Sequence, residues 1–283
     1  METTENAGIA GFSQGSFARL AKYITGELGI KMPDSKLSMV ESRLLRRVRE
    51  LGLNSLEEYG RYFFASSNAG EREQFINAIT TNKTDFFREP GHFTFLTRAA
   101  LPQLAAGAGP GWSLKLWSAG CSSGEEAYTL AMILSEYAAG HAGFDFAILG
   151  TDVSTRVLAQ ARGGIYLESQ VAPVPMELRR RYIWHSRNRS EALVRMVPEL
   201  RRKVSFHPLN FMDAEYRLRD MFQIVFFRNV AIYFDRPTQE AVIRKICRNL
   251  AAGGYLFLGH SESLAGLDVP VQMVATAVFR KPL

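Results

Sequence analysis

The most constraining stretch of the chain is residues 116–134, LWSAGCSSGEEAYTLAMIL, where an apolar run gives way to a small-residue turn and then to a helical pattern. Leu114 to Trp117 reads as a short buried strand. Ser118 to Gly124 is the turn. Ala127, Leu130, Ala131 and Leu134 then recur three and four residues apart, on one face of a helix. Gly120 and Gly124 let the backbone bend tightly and approach a ligand, because no Cβ stands in the way. Ser122 or Ser123 can cap the helix. Free N–H groups and the positive end of the helix dipole then point at whatever lies above the strand. Strand–turn–helix units of this kind bind nucleotides or nucleosides in open α/β sheets.

The residues around the turn narrow the ligand. No lysine follows Gly124, so the phosphate loop ending in Gly-Lys-Ser/Thr is absent. The dinucleotide pattern G-x-G-x-x-G is absent too, and Glu125 and Glu126 follow the turn at once. Two acids suit a helix N-terminus but repel a pyrophosphate. They suit a cation that carries an amine and a ribose, and S-adenosylmethionine is such a ligand. A plain α/β turn with an acidic helix start accounts for the same residues.

On either side of this stretch the pattern changes. Residues 12–80 read as an all-helical domain. Phe17, Leu20, Ile24 and Leu28 line one helix, and Gly29 and Pro33 break it. A second helix over 36–51 points Leu37, Val40, Leu44, Leu45 and Val48 inward and Lys36, Arg43, Arg46, Arg47 and Arg49 outward. Further helices are expected over 55–66 and 71–80. Residues 81–111 form a linker, TNKTDFFREPGH, followed by a helix over 92–104 that Pro102 and a loose AAGAGPG segment close. From Trp112 to the end, strands alternate with helices, as in a mostly parallel sheet. Residues 144–149 form the second strand, which ends at Gly150-Thr151-Asp152. An acid there is the usual partner of ribose hydroxyls, although it can equally cap the helix over 154–162. Residues 222–227 are a third buried strand, followed by Arg228-Asn229-Val230-Ala231-Ile232-Tyr233. A helix over 238–250 stops at Gly253-Gly254, a strand follows over 255–259, and a hairpin-like pair over 272–274 and 277–280 closes the sheet.

Residues 163–206 break the alternation. Within 178–203, nine basic residues face only Glu191 and Glu199, a balance of +7, while the whole 283-residue chain carries +6. Such a segment reads as an interaction element, and charge alone leaves nucleic acid, anionic membrane and acidic protein open as partners. No apolar run approaches the ~18 residues of a membrane span. The start, METTENAGIAGF, has no export-signal pattern. Cys121 and Cys247 are too few for a disulfide framework, so the expected location is the cytoplasm. No Cys/His cluster has metal spacing, and no metal is expected.

Four segments, TNKTDFFREPGHF, LWSAGCSSGEEAYTLAM, ILGTDVSTRVLAQARGGIY and FFRNVAIYFDRPTQE, followed by GGYLFLGHSESL, resemble the bacterial chemotaxis receptor methyltransferases of the CheR type. The resemblance spans about residues 17–279. It implies an N-terminal helical domain, a class I S-adenosylmethionine methyltransferase domain over 112–283, and a small antiparallel β-subdomain inserted at about 163–206. It also implies methyl-ester formation on glutamates of the cytoplasmic methylation helices of chemoreceptors. Matched motif by motif, Asn82, Thr84, Arg88, Gly120, Glu126, Asp152, Asn210, Phe211, Arg228 and Asn229 line the cofactor site. Arg88 and Tyr233 lie near the transferring methyl. The basic helix, with Arg43, Arg46, Arg47 and Arg49, is expected to meet the acidic receptor. The β-subdomain is expected to take an acidic peptide or protein surface. The chain departs from the family pattern at Phe227, at Ala127, and in the turn over 185–192, HSRNRSEA, which lacks the family's glycines. Base methyltransferases carry an Asn/Asp-Pro-Pro-aromatic loop after the fourth strand. No proline stands in the matching place here, so nucleic acid is not the expected substrate.

Overall fold

The computed structural model describes residues 9–65, 69–109 and 111–283. Three expectations reach beyond these residues: the reading of the first eight residues, Ser66 at the end of its helix, and Pro110 in the loose segment. The chain divides into two compact units, one ending at Thr81 and the other covering Asn82–Leu283.

The first unit holds α1 (Gln14–Leu28), α2 (Leu37–Glu50), α3 (Leu56–Ala65) and α4 (Ala69–Ile79). Ser13 caps α1 by accepting the Ser16 N–H, and Gly29 ends it in the left-handed conformation that a residue without Cβ adopts freely. Phe17, Leu20, Ile24 and Leu28 are all buried, as their spacing requires. On α2 the structure corrects the sequence reading. Val40, Leu44 and Val48 are buried, but Arg43 and Arg47 are half-buried rather than outward. Arg47 forms an ion pair with buried Glu71 at 2.5 Å, and Glu71 also accepts from the Tyr59 hydroxyl at 2.8 Å. Arg43 donates to the Ile79 carbonyl and the Thr81 hydroxyl. These two arginines bind α2 to the rest of the bundle. Arg46 is outward, with 86% of its side chain exposed, and it pairs with Glu50 one turn away.

The second unit opens with α5 (Gly91–Phe95), a π turn at Leu96–Ala100 and α6 (Leu101–Ala106). Pro102 therefore does not close the helix. The wide turn ahead of it accommodates a ring that would clash in a regular α-helix. A seven-stranded sheet follows, built from β1 (Ser113–Ala119), β2 (Asp145–Asp152), β6 (Val204–Pro208), β7 (Phe222–Phe227), β8 (Leu250–Leu258), β9 (Gln272–Ala275) and β10 (Val278–Arg280). Its order is β6-β2-β1-β7-β8-β10-β9, parallel from β6 to β8 and antiparallel at β10 and β9. The helices α7 (Glu125–Gly140), α8 (Thr155–Gly163) and α11 (Arg236–Arg248) make the crossovers. Strand order reverses at β1 and β7, and ligands bind such sheets in the crevice beyond the strand ends at that point.

A separate three-stranded antiparallel sheet, ordered β3-β5-β4, comes from β3 (Ile165–Leu167), β4 (Ile183–His185) and β5 (Leu193–Met196), with α9 (Met176–Tyr182) and α10 (Pro198–Lys203) alongside in sequence. Its strands end at Met196. The last residues of the expected insertion, Val204 to Phe206, belong instead to β6, the edge of the main sheet. A second correction concerns Gly253-Gly254, which lies inside β8 rather than between helix and strand.

Candidate active site

Four segments of the second unit converge at the C-terminal ends of β1, β2 and β7. The turn after β1 is held by the Thr151 carbonyl, which accepts the N–H groups of both Gly120 and Cys121 at 2.8 Å. Gly120, Ser122 and Gly124 all have positive φ, which gives the turn its tight bend. The space a side chain at Gly120 would need is taken by Val230, 2.5 Å from an ideal Cβ. At Gly124 it is taken by Ala161 and the Tyr166 hydroxyl. These glycines are therefore required by the protein's own packing. Neither serine caps α7, whose N-cap is Gly124 without a side-chain bond. Ser122 donates instead to the Asn82 carbonyl at 2.8 Å, and Ser123 to the Glu125 carboxylate. The first of these bonds ties the start of the linker to the turn.

Asp152 ends β2, nearly buried. One carboxylate oxygen accepts the Ser122 N–H at 3.0 Å and the other the Ser154 N–H at 2.9 Å. It thus both braces the turn and starts α8. Burial pushes its carboxyl above the usual range. Each carboxylate oxygen can accept twice, so lone pairs remain for hydroxyl donors. Asn210 accepts the Met212 N–H through its side chain, and Phe211 packs edge-on against Phe227 and beside Gly120. Thr84 and Asn82 are half-buried in the linker.

The central side chain is Arg228, at the end of β7, whose side chain is only 2% exposed. It donates to the Arg88 carbonyl at 2.6 Å and to His92 Nδ1 at 3.3 Å. Its Nε lies 3.2 Å from the Glu126 carboxylate and 3.8 Å from Glu89, and the guanidinium sits over the rings of Phe93 and Phe226. Glu126 also accepts from Ser118 at 2.7 Å. Burial raises the Glu126 carboxyl, and the Arg228 charge opposes that rise. Burial and the neighbouring guanidinium push His92 down to about 4, so the imidazole is neutral at pH 7. Arg88 is half-buried between Phe87 and Glu89, both of which hold positive φ. That conformation is costly for side chains of this size, and such strain collects at functional sites. Tyr233 is half-buried on the short turn Ala231–Tyr233 beyond Arg228.

Sequence reasoning passed over Glu89, His92 and Glu262, although all three lie within the quoted segments. The available signal was an acid directly after the arginine of the linker, and a histidine three residues on. One ligand atom each from Glu89, His92 and His260 lies within 4.8 Å of the others, a spacing open to a metal ion. The Arg228 guanidinium already supplies positive charge against two of these side chains.

A largely parallel sheet whose strand order reverses between β1 and β7, an acid at the end of its second strand and acids rather than a lysine at the first helix fit an S-adenosylmethionine-dependent methyltransferase. Residues 82–279 match the family model described as CheR methyltransferase, SAM binding domain, and residues 15–80 match CheR methyltransferase, all-alpha domain. The chain belongs to the CheR methyltransferase family. It is 37% identical to the chemotaxis protein methyltransferase of Salmonella typhimurium over 90% of this chain and 86% of that one. Identity is 36% to the Escherichia coli protein of the same description, over 95% and 90%. It is 35% to that of Borreliella burgdorferi, over 93% of each.

Proposed function

We propose that this chain transfers the sulfonium methyl of S-adenosylmethionine to glutamate side chains on chemoreceptor signalling helices. The observation that carries the reading is the convergence of the linker and the ends of β1, β2 and β7 on one cradle, in a chain that matches chemotaxis methyltransferases over nearly its whole length. The donor set fits the cofactor. Asp152 keeps acceptor lone pairs for ribose hydroxyls, and the acidic surroundings of Glu125, Glu126 and Asp152 favour a cation. When bound, the cofactor supplies an electrophilic methyl.

The chain's own residues do the positioning. A glutamate carboxyl has an ordinary pKa near 4.3, so the acceptor is already a carboxylate at pH 7 and needs no general base. The remaining task is alignment. Arg88 orients the incoming carboxylate, and Tyr233 sets its hydroxyl beside the methyl. Cys121 takes no covalent part; burial raises its thiol and keeps it protonated. Methyl transfer to a receptor fragment, with base-labile release as methanol, tests the activity. In the same assay Tyr233→Phe should lower turnover about tenfold while cofactor affinity is unchanged. Full turnover would remove the hydroxyl from the mechanism. Asp152→Ala should weaken cofactor binding by about 1.5–3 kcal/mol, read by calorimetry. Unchanged affinity would reject the ribose contact.

Two basic surfaces fit acidic partners. On α2, Arg46 and Arg49 are exposed, whereas Arg43 and Arg47 are engaged within their own unit. On the small sheet, Ile165, Arg195 and Trp184 stand in one register row, all exposed. A receptor methylation helix is the partner for the first surface and an acidic peptide or protein for the second. The Arg189 side chain lies outside the described residues. Arg46→Glu and Arg195→Glu should each raise the Michaelis constant for receptor several-fold at low salt, with the difference shrinking as salt screens it. Identical kinetics at low salt would leave these faces as plain solvated surface. Among the described residues no helix is long and apolar enough to cross a membrane. We place the enzyme in the cytoplasm, beside the receptor helices, with no role for nucleic acid.

A further inference from the structure

We propose that Glu262 is a positioning residue for methyl transfer, whose carboxylate holds the loop after β7 in the shape that presents Tyr233. The proposal rests on the reading of Tyr233 given above. Glu262 lies in the loop after β8, next to the loop after β7. One carboxylate oxygen accepts the Asn229 N–H at 2.8 Å and the Gly259 N–H at 2.6 Å. The other accepts the Ile232 N–H at 3.3 Å. A single side chain therefore joins the start and the end of the segment that leads into Tyr233, and anchors both to the end of β8.

The backbone explains why an anion is needed there. Asn229 has φ +60°, a left-handed conformation that turns neighbouring N–H groups toward one point. No strand or helix partner accepts these N–H groups, because the loop has left β7 and only a short turn follows. Unpaired, the part-buried Asn229 N–H would favour another loop conformation, since a backbone donor shielded from water is costly without an acceptor. The Glu262 carboxylate supplies that acceptor. The close seat of the loop also requires Gly259, where an added Cβ would meet the backbone and side chain of Asn229. Asn229 in turn reaches Glu89 Oε1 at 3.4 Å, so the loop is tied to the linker that carries Arg88. Tyr233 follows Ile232 directly, and its own N–H is taken by the Val230 carbonyl. Moving Asn229 or Ile232 thus moves Tyr233.

Glu262→Gln keeps the size of the side chain but turns an amide donor toward backbone donors. It should lower turnover about tenfold, with the receptor Michaelis constant within about twofold of wild type. Glu262→Asp keeps the charge and should recover part of the loss. Combined with Tyr233→Phe, Glu262→Gln should cost nothing further, because both act through one hydroxyl. Additive losses would overturn the proposal, as would full turnover in Glu262→Gln beside a slow Tyr233→Phe. Full turnover in Tyr233→Phe alone would instead reject the tyrosine role, and this proposal with it. If Glu262→Gln fails to fold, amide hydrogen exchange on the wild-type enzyme decides. The Asn229 and Ile232 amides should be protected well beyond exposed loop amides, and exchange at the solvent rate would overturn the proposal.

Discussion

Arg228→Gln should destabilise the methyltransferase unit by about 3–5 kcal/mol, the cost of breaking a buried ion pair from one side. The guanidinium is enclosed by Glu126, Glu89, His92, the Arg88 carbonyl and two aromatic rings. Glutamine restores at most one of these hydrogen bonds and none of the charge. Glu126, 14% exposed, then keeps the Ser118 hydroxyl, and Glu89 keeps the Asn229 amide, the His260 N–H and the neighbouring His92 ring. Both carboxyls should take up protons more readily, so the variant should lose less stability than wild type on mild acidification. Urea denaturation at pH 7 and at pH 5 checks both statements. A loss below about 1 kcal/mol at pH 7 would mean that water reaches the cluster and screens it.

The same residue shows where sequence reading reaches its limit. Its motif was legible, and it was expected to line the cofactor site. In the fold its guanidinium meets the Arg88 carbonyl of the linker and His92 of α5, and Phe93 and Phe226 flank it, contacts no local pattern announces. The main architecture could be read because the strands β1, β7 and β8 are short, predominantly apolar segments and the helices carry clear periodicity. The strand β6 was hidden for the opposite reason. It is short, lies at the sheet edge, buries only Val204 and Phe206, and follows an arginine-rich helix. Gly253-Gly254 read as a stop because glycine usually ends helices, but here it lies at a register shift within β8. On α2, charge placed Arg47 outside, while its partner Glu71 sits 24 residues away and no local pattern announces it. Whereas the π turn before Pro102 is a local feature, the Arg47 and Gly253-Gly254 corrections depend on contacts distant in sequence. Glu262 is a further case, since its role depends on amides some 30 residues earlier.

His92 should make the unit acid-labile in a definite window. Its imidazole is 2% exposed, beside the Arg228 guanidinium and the rings of Phe257 and His260. Burial and the Arg228 charge lower it from an ordinary value near 6.5 to about 4, while Glu89 opposes them. Above about pH 6.5 the ring is neutral in both folded and unfolded chains, and its contribution to stability is fully present. As pH falls below that value the unfolded chain takes up a proton that the folded protein resists, so unfolding is favoured. The loss grows until the folded pKa of about 4 is passed, and it amounts to about 2 kcal/mol at pH 5 and about 3 kcal/mol in full. Glu125, Glu126, Asp152 and Glu262 have raised carboxyls and act in the opposite sense, since the folded protein binds their protons more readily. Comparison with His92→Gln removes their shared contribution. Glutamine does not titrate, and its amide can still accept from Arg228. The difference in unfolding free energy between pH 7 and pH 5 should be about 2 kcal/mol more unfavourable in wild type than in His92→Gln. Equal differences in the two proteins would mean that His92 takes up its proton in the folded state as easily as in the unfolded chain, with the guanidinium moving away to admit it.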